Sequence, residues 1–204
     1  MGILDRANDS KLDFLLEIGN IGTGNALTSL SSFIDRKVDM NPPQLEFVSY
    51  DALLKNLGGS ENVVSGFLIT VSGDIEGVML FLLQKELASE VCDILLGNSL
   101  VDLMNLDEMH TSLIKEIANV MSGSYVSALA DMAGMNIQNS VPDLCIDMAG
   151  AILSVPLIHF ENIYGDILLI QNTFTIDTKE YNSSIFFFLK DESVSSLMKQ
   201  FGVE

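Results

Sequence analysis

The sequence is poor in the residues that most often build metal centres, disulfides and basic surfaces. It has two histidines and two cysteines, Cys92 and Cys145, with no CxxC pair, which argues against a disulfide framework and a structural zinc. Ten Lys and Arg stand against 28 Asp and Glu, for a net charge of −18, and no basic run is suited to neutralising phosphates. Nucleic acid and anionic membrane surfaces are therefore poor partners, and we expect no cofactor or metal of the protein's own.

Long apolar runs are also missing. The longest, "VMLFLL" at 78–83 and "IFFFL" at 185–189, are far shorter than the ~20 residues that a membrane-spanning helix needs. The start of the chain, "MGILDRANDSKLD", has no basic segment leading into an apolar one, so it does not resemble a signal peptide. This composition predicts no membrane insertion and a reducing, cytoplasmic location.

In place of these features the sequence has an internal repeat. "DFLLEIGNIGTGNALTSL" at 13–30 aligns with "SLIKEIANVMSGSYVSAL" at 112–129 at a constant offset of 99. Such self-similarity indicates two degenerate copies of one unit. We expect the copies, about 9–100 and 105–204, to form a single domain over residues 1–204 with pseudo-two-fold symmetry.

Hydrophobic periodicity predicts one long helix in each copy, followed by apolar strands and a shorter helix. The predicted helices cover about 9–34, 85–97, 107–132 and 192–201. The predicted strands cover 44–49, 63–72 and 76–83 in the first copy, and 151–159, 163–174 and 184–190 in the second. The predicted fold class is α+β, with two pseudo-symmetric repeats forming one antiparallel-rich β-sheet packed with two long and two shorter helices.

The first long helix contains three glycines within six positions, Gly19, Gly22 and Gly24. Each costs roughly 0.5–1 kcal/mol relative to Ala inside a helix, so each needs a reason. Rotation by 100° per residue places Gly19 on the apolar face and Gly24 on a polar strip, where it clears space for a partner. Gly22 has no counterpart in the second copy, where Met121 replaces it, and the pattern does not explain it.

The polar strip holds similar residues in both copies. The first strip is Asp13, Glu17, Asn20 and Gly24, and the second strip is Ser112, Glu116, Asn119 and Gly123. A Glu and an Asn three residues apart are common on solvated helix faces. Because both residues and the glycine recur in two otherwise divergent copies, the strips are more than a solvated surface.

An amide beside a carboxylate suits few kinds of chemistry. Asn is a poor acid, base or nucleophile, but its amide donates and accepts hydrogen bonds at once and can orient a water. Glu can act as a base or pair with a cation on a partner. The sequence has no Ser-His-Asp set, and "GNIGTGN" lacks the Gly-Lys-Ser/Thr ending of a Walker loop. A site this sparse needs its other reactants to be brought by a partner.

The two helices resemble the signature helices of the CheC family of bacterial chemotaxis phosphatases, which is related to CheX and FliY. The residues that carry the likeness are "LLEIGNIGTGNALTSLSS", preceded by Asp13, and "IKEIANVMSGSYVSAL", preceded by Ser112. The likeness extends through "RKVDMNPPQLEFV". CheX-like proteins are expected to carry one such motif, so the doubled motif and the chain length resemble CheC itself most closely.

This resemblance implies a phosphatase that hydrolyses the aspartyl phosphate of the response regulator CheY. It implies that Asn20 and Asn119 orient the attacking water, and that Glu17 and Glu116 pair with the regulator's active-site lysine. The other residues of the two strips would form the face on which the partner docks. The regulator would carry Mg²⁺ in its own active site, and the receptor deamidase CheD is implied as a second partner.

A second class of function is also compatible with these residues. The protein could be a non-catalytic adaptor that binds phosphorylated CheY, CheD or both and acts by sequestering them. The same Glu and Asn side chains can bind a regulator without accelerating hydrolysis. The two intact amides favour the enzyme over the adaptor.

Overall fold

The computed structural model describes residues 9–42, 44–98, 102, 105–159 and 167–200. The helices are α1 Asp9–Ile34, α2 Tyr50–Asn56, α3 Lys85–Leu96, α4 Glu108–Ala133, α5 Ala149–His159 and α6 Asp191–Gln200. The strands are β1 Val38–Met40, β2 Gln44–Val48, β3 Val63–Gly73, β4 Gly77–Leu83, β5 Ile137–Asn139, β6 Asp143–Met148, β7 Ile167–Ile176 and β8 Lys179–Leu189. Each half therefore repeats the order helix, two strands, helix, two strands, helix.

The eight described strands form one antiparallel sheet. Its order is β1-β7-β8-β4-β3-β5, with β2 also paired to β7 and β6 also paired to β3. The central pair, β4 with β8, takes one strand from each half. Each half also supplies edge strands to the hairpin of the other half, so the two halves are interleaved within one sheet.

Helices cover both faces of this sheet. The larger core lies between the sheet and α1, α3, α4 and α6, and the smaller core lies between the sheet and α2 and α5. Successive strand side chains point to opposite faces, so Met79 and Phe81 of β4 enter the larger core while Leu80 and Leu82 enter the smaller one. Because both faces are covered, the run "VMLFLL" is apolar throughout.

Local signals explain where several helices begin and end. Asp107 is the N-cap of α4, and its side chain accepts a hydrogen bond from the backbone N–H of His110 at 2.8 Å. Gly134 and Gly97 end α4 and α3 in the left-handed conformation, at φ 59° and 65°, which favours glycine. Ser49 caps α2 by accepting from the N–H of Ala52 at 3.3 Å.

The structure confirms the α+β class and the two long helices, and it corrects the second copy. The strand predicted over 151–159 is wrong, because Ala149–His159 is the helix α5. Its sequence "AGAILSVPLIH" is apolar on every side, and periodicity cannot separate such a segment from a buried strand. The helix α2 was not predicted, nor were the short strands β1, β5 and β6, so the sheet carries four shorter helices in place of two.

The strand predicted over 163–174 corresponds to β7, which begins at Ile167, and residues 163–166 lie outside the described part of the chain. The strand predicted over 184–190 begins earlier, at Lys179. Across the described residues, no helix is both long enough and apolar enough to cross a membrane.

A candidate partner-facing site on two helices

The first polar strip lies on the outer surface of α1. The side chains of Glu17 and Asn20 are exposed, and neither takes part in an ion pair or hydrogen bond with any other described residue. A Cβ atom built on Gly24 would meet no heavy atom within 4 Å apart from its chain neighbours and the backbone of its own helix. Asp13 also lies on α1, but its side chain is outside the described part. Glu17 and Asn20 of this strip therefore face solvent in the described part of the chain.

The second strip lies on α4 in the same way. Ser112 and Glu116 are exposed, and Asn119 is half-buried. The backbone carbonyl of Asn119 accepts from Ser122 Oγ at 3.3 Å, while its side-chain amide makes no hydrogen bond with another described residue. A Cβ atom on Gly123 would again meet nothing within 4 Å. The structure thus presents the carboxylate, the amide and the bare glycine twice.

The two helices that carry the strips pack against each other, and this contact explains Gly22. A Cβ atom on Gly22 would lie 2.6 Å from Cε2 and 2.8 Å from Cζ of the Tyr125 ring, closer than real side chains approach. Ser29 Oγ and Ser124 Oγ share a hydrogen bond of 2.6 Å a short way along the same contact. Gly22 therefore admits an aromatic ring from the other half. The sequence carries no local signal for a contact between two halves.

A second feature that the pattern did not identify fixes the start of α4. Asp107 Oδ1 lies 2.8 Å from His110 Nδ1, and His110 Nε2 lies 3.3 Å from the carbonyl oxygen of Asn98. The hydrogen bond to Asp107 raises the pKa of His110 above its ordinary value. Hydrogen bonds from the backbone N–H and side chain of His110 lower the pKa of Asp107. The signal for this pair in the sequence is an N-cap Asp followed by His three residues later.

The two strips offer groups for binding and orienting, without a metal centre beside them. The described residues contain no cluster of three or more His, Cys, Asp or Glu side chains suited to a metal ion. A free carboxylate can pair with a cation, and a free amide can hold a water or a polar group of a docked partner. Fold and exposed side chains together define an α+β protein with two related candidate sites on paired long helices.

Comparison with known proteins places this class in a family. Residues 11–46 and 109–146, the segments that hold the two strips, match the family described as CheC-like. The CheY-P phosphatase CheC of Bacillus subtilis is 31% identical over 179 residues, which cover 87% of this chain and 85% of that protein. The chain belongs to the CheC-like family.

One further curated protein and one solved structure are also similar to this chain. The flagellar motor switch phosphatase FliY of Bacillus subtilis is 26% identical over 145 residues, 68% of this chain but 36% of that longer protein. The crystal structure of Thermotoga maritima FliY has the same fold, with a TM-score of 0.74 at 22% identity, over 97% of this chain and 98% of that one.

Proposed function

We propose that this protein is a phosphatase of the chemotaxis response regulator CheY, with one site on α1 and one on α4. In each site, water attacks the phosphorus of the regulator's aspartyl phosphate. The bond between phosphorus and the aspartyl oxygen breaks, which releases inorganic phosphate and a free carboxylate. Asn20 and Asn119 orient that water through their amides, and Glu17 and Glu116 pair with the regulator's lysine.

The observation that carries this proposal is the doubled, unobstructed strip. Each strip places an amide one turn from a carboxylate, neither of which pairs with another side chain that the structure describes, and a Cβ atom on the glycine that follows would meet no described atom within 4 Å outside its own helix. Such a surface can approach the active site of a docked protein without obstruction from the side chains that the structure describes. Phosphoryl transfer depends mainly on positioning and charge stabilisation, so an orienting amide is a sufficient contribution when the partner supplies the rest.

The remaining components belong to the partner or to the surrounding strip. The regulator carries Mg²⁺ in its own active site, and this protein contributes no cofactor. Asp13, Gly24, Ser112 and Gly123 form the docking face. The net charge of −18 suits a partner surface that is basic. The resemblance to CheC adds the deamidase CheD as a second partner, a cytoplasmic location and a single folded domain over residues 1–204 to the proposal.

The test is the decay of ³²P-labelled regulator at substoichiometric amounts of this protein. Wild type should accelerate decay through many turnovers. The Asn20→Ala/Asn119→Ala double variant should lose at least about 10²-fold in rate, because a misplaced or missing orienting group has effects of this size. Asn25→Ala is the matched control, since Asn25 is an exposed Asn on the same helix but off the strip, and its rate should match wild type.

Binding measured in parallel separates the phosphatase from the adaptor. A phosphatase keeps its affinity for the phosphorylated regulator in the double variant and loses turnover. An adaptor binds the regulator without accelerating decay, both with and without CheD present. The second result would refute the catalytic proposal and leave the strips as a docking surface.

A further inference from the structure

A buried polar cluster lies directly beneath the α1 strip. Thr23, one turn after Asn20, is 1% exposed, and its Oγ1 donates a hydrogen bond of 2.9 Å to Asn172 Oδ1 on β7. Asn172 is 2% exposed and shares its strand face with the core residues Ile170 and Phe174. Its cross-strand partner on β8 is Ser183, which is also buried. A hydroxyl, an amide and a second hydroxyl thus interrupt an apolar layer.

This cluster stabilises the fold less than apolar side chains at the same positions would. Asn172 Nδ2 and Ser183 Oγ have no hydrogen-bond partner among the described protein groups, and buried polar groups in apolar surroundings destabilise a fold when they are poorly paired. A Val or an Ile in place of Asn172 would fit the alternation of the strand better. The cluster therefore contributes little stability, and its role is to orient α1 on the sheet.

Among the described residues, no equivalent cluster lies beneath α4. The offset of 99 between the two copies matches Met40 of β1 with Asn139 of β5. Met40 pairs with Phe174 of β7, and Asn139 pairs with Val71 of β3. Two residues before these partners lie Asn172 in β7 and Ile69 in β3. The equivalent positions in the neighbouring strands β8 and β4 are Ser183 and Met79, the cross-strand partners of Asn172 and Ile69. Ile69 and Met79 are both fully buried in the larger core.

The residue on α4 that corresponds to Thr23 also behaves differently. Ser122 donates its hydrogen bond to the carbonyl of Asn119 in its own helix, at 3.3 Å, and not to the sheet. The turn of α4 that carries Asn119 therefore rests on apolar contacts, which have no preferred direction. The turn of α1 that carries Asn20 is tied to β7 by a directional bond, which restrains both the rotation and the translation of the helix.

We propose that Thr23 and Asn172 are positioning residues for the α1 site alone. Their hydrogen bond sets the orientation of the turn that presents Glu17 and Asn20, whereas the described residues show no such bond from the sheet to the turn of α4 that carries Asn119. Buried polar pairs are best attested in this role of fixing register. The inference rests on the proposed phosphatase function, because the orientation of Asn20 matters most when its amide must hold a water for attack.

The experiment uses two single-site backgrounds. Asn119→Ala leaves the α1 site, and Asn20→Ala leaves the α4 site. Adding Thr23→Val removes the hydroxyl at nearly constant shape. In the α1-only background we expect kcat to fall about tenfold, with KM little changed. A decrease in rate of this size is typical when a reacting group is misplaced by up to about an ångström. In the α4-only background, kcat should stay within about twofold of its starting value. Thr23→Ser, which keeps the hydroxyl, should restore most of the loss.

The same hairpin supplies a matched control. Thr173 Oγ1 donates to Asn182 Oδ1 at 2.9 Å across β7 and β8, but this pair is on the exposed side. Thr173→Val therefore removes a Thr–Asn bond of the same length that joins β7 to β8 and not to α1, and both backgrounds should keep their rates. If Thr23→Val folds poorly, Thr23→Val/Asn172→Ile removes both polar partners, gives β7 the residue found in β3, and should show the same site-selective loss.

Three results decide the matter. An equal loss in both backgrounds, or no loss in the α1-only background, overturns the positioning role. If neither background accelerates decay before Thr23 is changed, the phosphatase proposal fails, and amide hydrogen exchange then tests the inference. Exchange of the α1 amides around residues 19–27 should quicken in Thr23→Val with α4 unaffected. Unchanged exchange in α1 would overturn the inference independently of activity.

Discussion

The α1 site and the α4 site expose similar side chains but are held in place by different contacts. Each offers a carboxylate, an amide and a bare glycine to solvent. Beneath α1 lies the polar pair of Thr23 and Asn172, whereas the equivalent place beneath α4 is filled by Ile69. The start of α4 is fixed by Asp107 and His110, while positions 8 and 11, their counterparts at the offset of 99, are Asn and Lys. A duplicated surface can therefore keep the groups that it exposes while its supporting contacts diverge.

The largest expected effects come from removing one amide at a time. Asn20→Ala and Asn119→Ala should each silence one site by about 10²-fold and leave the other site working, so the two residual rates should sum to the wild-type rate. The measurement is steady-state hydrolysis of phosphorylated regulator by each single variant. Residual rates that sum to much less than the wild-type rate would show that the sites are coupled and would break the comparison.

The contact of Gly22 with α4 predicts that substitutions at Gly22 and Gly24 change the free energy of unfolding in opposite directions. Gly22→Ala forces a methyl group against the Tyr125 ring, which already lies 2.6 Å from the Cβ position, and overpacking of this kind destabilises by about 1–3 kcal/mol. Gly24→Ala meets nothing within 4 Å and should stabilise by about 0.5–1 kcal/mol, because Ala favours helix. Urea denaturation of both variants measures the free energy of unfolding. Opposite signs are expected from two glycines in the same helix, and equal signs would contradict this account of the α1–α4 contact.

These two glycines also show how far the sequence alone can lead. The strips and the long helices depend on periodicity and on the repeat, which are local signals, so Gly24 and its open surroundings were predictable. Gly22 depends on a ring from the other half, and α5 depends on burial by the sheet, since "AGAILSVPLIH" fits a strand or a helix equally well by pattern. Asn172 had one signal, an amide at a position where strand alternation calls for an apolar residue, but its partner Thr23 is visible only in the fold.

A bulkier change at the open glycines tests whether both strips dock a partner. Gly24→Leu and Gly123→Leu each add a side chain whose Cβ atom meets no atom within 4 Å outside its own helix in the free protein. Each should raise KM about tenfold for its own site, as expected when a contact of a few CH₂ groups obstructs an interface, while the melting temperature stays level or rises. The assay is regulator hydrolysis in the single-site backgrounds. If KM is unchanged at one site, that strip does not face the partner.

The smallest predicted effect is a pH dependence confined to the start of α4. The pKa of His110 is raised by Asp107, so its contribution to stability is complete below its ordinary pKa of about 6.5 and is lost as pH rises through the higher folded value. The pKa of Asp107 is lowered, so its contribution is present above an ordinary pKa of about 3.9 and is lost as pH falls. The pair therefore stabilises α4 most between about pH 4 and pH 6.5.

The measurement is the melting temperature of wild type minus that of His110→Gln, followed from pH 6 to pH 8. This difference should shrink as pH rises, because the variant lacks the group that loses its proton. Asp107→Asn keeps an N-cap residue but removes the charge, so the His110 ring, followed by NMR, should titrate closer to its ordinary pKa in that variant. A difference that stays constant with pH would mean that His110 stabilises α4 by packing and its bond to Asn98, and not by its charge. The α1 site has no such pair at positions 8 and 11, so its activity should follow pH independently of either substitution.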